Sequence, residues 1–129
     1  ETTLHIEIIK NLKCSAVLHP HSIYATVLSD HFEKQAAIRL EGWEMLKGIK
    51  GISTHETSID IPIVANNQNM RELSRVVYTY LNSNIPGILV AGHGLYAWGD
   101  SLAEAQRHVE ILEFLLSAVW HKQLLPPVQ

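Results

Sequence analysis

A chain of 129 residues, 47% of them apolar and 18% charged, carries enough apolar side chains for the core of one domain and too few charges to stay disordered. The formal charge is −3 and the Lys and Arg residues are scattered, which argues against nucleic acid and anionic membranes as partners. The single cysteine, Cys14, excludes an intrachain disulfide and suits a reducing compartment, so the cytoplasm is the expected location.

The first residue is Glu1 rather than Met, which reads as a chain processed, trimmed or cut from something longer. No apolar stretch is long enough to span a bilayer, and no signal-peptide pattern opens the chain. Residues 2–12 predict a helix with Leu4, Ile8 and Leu12 on one face and Thr2 or Thr3 as its cap. Residues 15–19 predict a strand. Ser22 is placed to cap a helix running to about Ser29. Residues 36–40 read as extended, and residues 41–48 as a short helix stopped by glycine. Residues 58–64 predict a strand in which Pro62 argues for an edge or an end. Residues 69–83 predict an amphipathic helix with Leu73, Val76, Val77, Tyr80 and Leu81 inward.

Residues 87–91 and 94–98 predict a hairpin around Gly92-His93-Gly94, with the Tyr96–Trp98 alternation of a half-buried strand. Ser101 and Glu104 form a capping box. The helix it opens runs to about His121, with Leu102, Ala105, Val109, Leu112, Leu116 and Val119 along one stripe. Trp43, Trp98 and Trp120 read as packing residues. Helices and strands thus intermix within a single α/β domain over residues 1–129, which predicts a mixed sheet with helices on its faces.

Eight histidines punctuate these elements. His5, His31, His108 and His121 fall in or near predicted helices and read as surface or packing residues, as does His55 in a polar loop. His19 and His21 differ. Two residues apart in extended chain, they point to the same side. With His93 as a third arm they describe a catalytic metal site, which keeps its fourth position open. The competing reading is ordinary, because His-x-His pairs and glycine-flanked turn histidines are both common. Gly92 and Gly94 permit positive φ and close approach to a ligand, but they lack the third glycine and helix start of a dinucleotide fingerprint. Glu41 and Glu44, at i and i+3, share a face of the predicted helix. That face is either solvated or offers a carboxylate as proton shuttle beside a metal-bound substrate.

Taken in order, His19-Pro20-His21-Ser22, the run from Glu41 through Trp43, Glu44 and Gly48, and Gly92-His93-Gly94-Leu95-Tyr96-Ala97-Trp98-Gly99 resemble the class II aldolase/adducin family. The likeness covers essentially the whole chain. Its Glu44 segment, its Leu95–Gly99 run, the stretch over residues 101–108 and Glu113-Phe114-Leu115-Leu116 are most similar to the bacterial dehydratases of that family. The resemblance implies a mixed, mainly antiparallel central sheet with helices on both faces. It implies His19, His21 and His93 as ligands of one Zn²⁺ per subunit, Glu44 as catalytic acid/base, and a homotetramer with sites near subunit contacts.

The implied activity is loss of water from 5-methylthioribulose 1-phosphate to give 2,3-diketo-5-methylthiopentyl 1-phosphate in methionine salvage. A sugar-phosphate aldolase or a pentulose-phosphate 4-epimerase would use the same three histidines, and an adducin-like binding module would be non-catalytic. Three imidazoles suit Zn²⁺ but also Fe²⁺, Co²⁺ or Ni²⁺. Pro20 departs from the threonine or asparagine usual at its position, yet it leaves both histidines extended. Glu1 stands near the place where the family's aldolases carry a catalytic carboxylate. The family's phosphate-gripping glycine-asparagine-x-serine has no counterpart here. The chain is therefore expected to be the C-terminal portion of a longer domain, with its phosphate site upstream. On its own it would leave a sheet edge and apolar surface uncovered, which invites association.

Overall fold

The computed structural model describes residues 2–81 and 84–128. Glu1 and the last two residues of the segment 69–83 lie outside them. Four helices, α1 (Thr2–Leu12), α2 (Ile23–His31), α3 (Met70–Tyr78) and α4 (Leu102–Gln123), accompany five strands. These are β1 (Ala16–Leu18), β2 (Ala37–Glu41), β3 (Ser58–Val64), β4 (Gly87–Val90) and β5 (Gly94–Gly99). They form one sheet in the order β1-β5-β4-β3-β2. Every pairing is antiparallel except β3 with β4. The exception follows from connectivity: β4 and β5 are joined by a tight turn, whereas β3 reaches β4 through α3, and only a crossover of that length permits parallel strands.

Helices cover both faces, as the resemblance implied. On one side Leu4 and Ile8 of α1 and Leu73 and Val77 of α3 pack on Ile88, Val90, Tyr96 and Trp98. On the other, Ala25 and Leu28 of α2 and Leu112, Leu115 and Leu116 of α4 pack on Leu89, Leu95 and Ala97. Alternate residues of β4 and β5 therefore feed two separate cores. This corrects the half-buried reading of β5, all six residues of which are buried. A strand covered on both faces is apolar in both registers, so alternation carries no information there.

Other expectations also shift. Thr2 and Thr3 are already helical, so neither is the cap of α1. Ser22, Asn69 and Ser101 each accept backbone N–H groups from the first turns of α2, α3 and α4. Glu41 is the last residue of β2, paired with Ser58, and only residues Glu44–Gly48 form a 3₁₀ helix. Gly42, at φ +75°, turns the chain between the two, so Glu41 and Glu44 share no helix face. Pro62 is not on an edge strand, because β3 lies between β4 and β2. Ile63 donates its N–H to Ala36 on the β2 side, so the nitrogen of Pro62 faces the other way. It stands one residue before pairing with β4 begins, at Ile63–Leu89, where a missing N–H costs no ladder bond.

Val76 and Leu102, both expected inward, are 42% and 63% exposed, and Trp120 is also exposed. The inner surface of α4 keeps Ala105, Leu112 and Leu116 of the expected stripe and adds His108, Ile111 and Leu115. This is a broader face than one stripe, as a helix laid across a sheet requires. Among the described residues, no helix is long and apolar enough to cross a membrane.

Leu89 is fully buried on β4 and touches the α2/α4 core. Leu89→Ala should lower the unfolding free energy by about 2–5 kcal/mol, read from urea denaturation of the two proteins. A loss below about 1 kcal/mol would mean that this face is not a packed core.

A three-histidine candidate metal centre

The chain leaves β1 at Leu18 and continues extended through His19, Pro20 and His21, alongside the start of β5. Leu95 donates its N–H to the Pro20 carbonyl at 3.2 Å. The turn between β4 and β5 carries His93, whose N–H bonds the Val90 carbonyl at 3.0 Å. The two glycines beside it do different work. Gly92, at φ +64°, holds the left-handed conformation of the turn. Gly94 gives clearance: a Cβ there would lie 2.5 Å from the Pro20 oxygen. Only a residue without a side chain lets the His93 turn close onto the His19–His21 arm.

The three rings meet through their Nε2 atoms. His21 and His19 are 3.0 Å apart there, His93 and His21 3.2 Å, and His19 and His93 3.4 Å. Hydrogen bonds on the far side of two rings set their tautomers. The Nδ1–H of His19 donates to the Leu95 carbonyl at 2.8 Å, and that of His93 to Asn66 Oδ1 at 3.2 Å. Both rings must then present an Nε2 lone pair to the common centre. Facing lone pairs at this distance repel unless a cation lies among them. A tetrahedral zinc with Zn–N of about 2.0–2.1 Å needs ligand nitrogens about 3.3 Å apart. The observed triangle fits that donor set, so the cluster is able to hold a divalent metal ion.

The surroundings make the arrangement stiff. Tyr96, almost wholly buried, stacks on His19 at 3.8 Å between ring centroids and 13° between planes. His5 meets both rings edge-on, at 6.2 Å from His19 and 5.4 Å from Tyr96. Neither role was visible in the sequence, where Tyr96 read as part of a half-buried strand and His5 as a surface or packing residue. Asn66 follows β3 in a loop with no motif to mark it. The acceptor from Leu95 is a backbone carbonyl, which no sequence pattern reveals.

The remaining histidines are elsewhere. His108 is 3% exposed and satisfied at both nitrogens, donating from Nδ1 to the Trp98 carbonyl at 2.7 Å and accepting from the Lys50 N–H at 3.2 Å. His31 packs on Phe32, His121 bonds Tyr24, and His55 lies 3.7 Å from Glu44. A cavity of about 510 Å³, lined by Cys14, Trp98 and His108 among others, opens at the far end of β4 and β5 from the histidines. Burial pushes the Cys14 thiol up, which leaves it a poor nucleophile.

Glu44 is not beside the imidazoles. Its side chain is 71% exposed and pairs with Lys47 at 2.6 Å. That hydrogen bond, with the charge of Lys47, holds its carboxyl below the usual range. Strand register places it. Glu41 pairs with Ser58 at one end of β3, while Val64, at the other end, pairs with Val90 of the strand that leads to His93. The length of β3 separates the two, roughly 20 Å at about 3.3 Å per residue.

Residues 1–120 match the family described as Class II Aldolase and Adducin N-terminal domain. The chain belongs to the class II aldolase/adducin family. It is 49% identical over 110 residues to a methylthioribulose-1-phosphate dehydratase of Parvibaculum lavamentivorans, covering 84% of this chain and 54% of that protein. It is 48% identical over 118 residues to the same enzyme of Stenotrophomonas maltophilia, covering 90% and 55%. The chain thus spans about half the length of the curated relatives it matches. Among solved structures, an l-fuculose-1-phosphate aldolase of Thermus thermophilus superposes with TM-score 0.74 at 23% identity, covering 96% of this chain and 62% of the other. YgbL of Klebsiella pneumoniae, a putative aldolase/epimerase/decarboxylase, gives 0.75 at 21%, covering 93% and 55%. Both share the fold.

Glu113 of α4 is a half-buried carboxylate that accepts from Ser22 Oγ at 2.7 Å. Loss of water around it pushes its carboxyl up, against the smaller opposing pull of the Ser22 bond. The folded state therefore holds this proton more tightly than the unfolded chain does. Its contribution is fully present below the unfolded value of about 4.3 and is lost as pH rises through the folded value. Glu113→Gln cannot ionise, so its unfolding free energy relative to wild type should climb as pH rises from about 4 and then level off. A difference that stays flat with pH would show that the carboxylate is solvated.

Proposed function

We propose that this chain provides the metal-binding half of a hydro-lyase that removes water from 5-methylthioribulose 1-phosphate. One observation carries the reading. Three imidazole Nε2 atoms converge within 3.4 Å in a chain about half identical to methylthioribulose-1-phosphate dehydratases over most of its length. In this reading His19, His21 and His93 hold Zn²⁺, leaving an open side toward solvent and substrate. Bound there, the ion supplies Lewis acidity to the oxygens of the sugar and stabilises the negative charge that develops in the transition state.

The chain's own groups do the rest. The Leu95 carbonyl and Asn66 keep two rings in the tautomer with its hydrogen on Nδ1 and a lone pair on Nε2. Glu44 takes the C3 proton and returns it to the departing C4 hydroxyl, so that water leaves and the enol product relaxes to the 2,3-diketone. Lys47 keeps Glu44 ionised and ready as the base. What supports action from a second copy is the position of Glu44 at the opposite end of its own sheet. A homo-oligomer, a tetramer by the family resemblance, then brings the carboxylate of one subunit to the histidines of another. The phosphate of the substrate is held by residues outside this chain.

His93→Ala should abolish stoichiometric metal, measured by elemental analysis of the purified protein, and retained metal would remove His93 from the site. Glu44→Gln should keep the metal and lower kcat by roughly 10²–10⁴-fold. Co-assembly of the two variants should restore turnover, since a mixed oligomer pairs an intact histidine site with an intact Glu44 from its neighbour. If mixtures stay as inactive as either parent, Glu44 does not act across subunits.

A further inference from the structure

We infer that α2 is the strut that fixes the spacing between the two arms of the histidine site, and that Glu113 on α4 is the positioning residue that locks this strut in place. The inference rests on the metal reading above and concerns how that site is kept in register.

Both arms are tied to the same nine-residue helix. Ser22 directly follows His21 and is the N-cap of α2, its Oγ accepting from the Ala25 N–H at 3.0 Å. Thr26, one turn on, donates to the Ser22 carbonyl at 2.6 Å and lies 3.4 Å from the His93 carbonyl. Ser29, fully buried at the other end, accepts from the Gly92 N–H at 3.1 Å and lies 3.3 Å from the Val90 carbonyl. One rigid element therefore begins at the residue after His21 and contacts Val90, Gly92 and the carbonyl of His93. A shift of α2 against the sheet would move the arms relative to each other, and ligand nitrogens tolerate displacements of only a few tenths of an ångström.

Glu113 acts at the end of this strut nearest the ligands. A serine cap needs only a lone pair aimed at the helix, and its hydroxyl hydrogen is otherwise left to find a partner. Here the hydrogen goes to Glu113 Oε1 at 2.7 Å, a charge-assisted bond that fixes the hydroxyl rotor and ties the start of α2 to α4. Burying a carboxylate is costly. An apolar residue would serve packing alone better at that position, so the bond to Ser22 is what the carboxylate is there to make.

The test compares Glu113→Ala with Glu113→Gln, because glutamine keeps an acceptor oxygen for Ser22 and alanine does not. Co²⁺ added to metal-free protein reports affinity by chelator competition and ligand geometry by its d–d absorption, with urea unfolding measured alongside. Glu113→Ala should weaken Co²⁺ binding at least tenfold and alter the d–d spectrum, within the 10–100-fold usual for groups that orient metal ligands. Glu113→Gln should stay within about twofold of wild type. Wild-type affinity and spectrum in Glu113→Ala, or an equal loss in both variants, overturns the inference. If wild type itself binds no Co²⁺, the metal reading fails and takes this inference with it. If Glu113→Ala does not fold, Ser22→Ala against Ser22→Thr probes the same bond with the same expectations.

Discussion

The Nε2 lone pairs of His19 and His93 face each other across 3.4 Å and repel, and the rest of the site is organised to hold them there. The Leu95 carbonyl and Asn66 dictate which nitrogen of two rings carries the hydrogen. Tyr96 dictates the plane of His19 by stacking on it from inside the core. Gly94 removes the one side chain that would keep the arms apart. All of these groups but the loop residue Asn66 have a second role in the fold, in a strand, a turn or a core. The site is therefore as rigid as the sheet that bears it, and a cation that relieves the repulsion stabilises the folded state with it.

The two ends of the sheet carry different chemistry. One end gathers three imidazoles, two of them oriented by hydrogen bonds through Nδ1. The other carries Glu44, exposed and kept ionised by Lys47. In the proposed reading, a metal ligand set and a proton-transfer base suit these separate settings, because a carboxylate packed against three imidazoles would compete to bind the ion. Under the proposed function, keeping the two apart in one chain and joining them by assembly would make the reaction depend on the oligomer.

Much of the architecture was legible because its signals are local. Ser22 and Ser101 mark helix starts by their own side chains, and both cap as read. Leu4 and Ile8 repeat at helical spacing and are buried. The hairpin around Gly92-His93-Gly94 follows from two apolar runs and a turn that needs positive φ. The misreadings have a common origin in partners remote along the chain. Whether Pro62 is tolerated depends on when β4 begins to pair, and whether Tyr96 faces water depends on where α1 and α3 come to lie. Gly42 turned an apparent helix face at Glu41 and Glu44 into the end of a strand and a separate 3₁₀ helix.

The amino-acid order alone determined most of the element types, the extended His19–His21 pair that aims two rings to one side, and the likeness to a family that uses such rings. Those are properties of neighbours in the chain, set by backbone periodicity and side-chain chemistry. Only the tertiary structure decided that His93, more than seventy residues further on, closes the triangle. It also decided that a backbone carbonyl, a loop asparagine and a core tyrosine orient the rings, and that Glu44 lies toward the opposite end of the sheet from the histidines. Such facts arise from strand register and packing, where the contacting atoms belong to segments brought together only by folding.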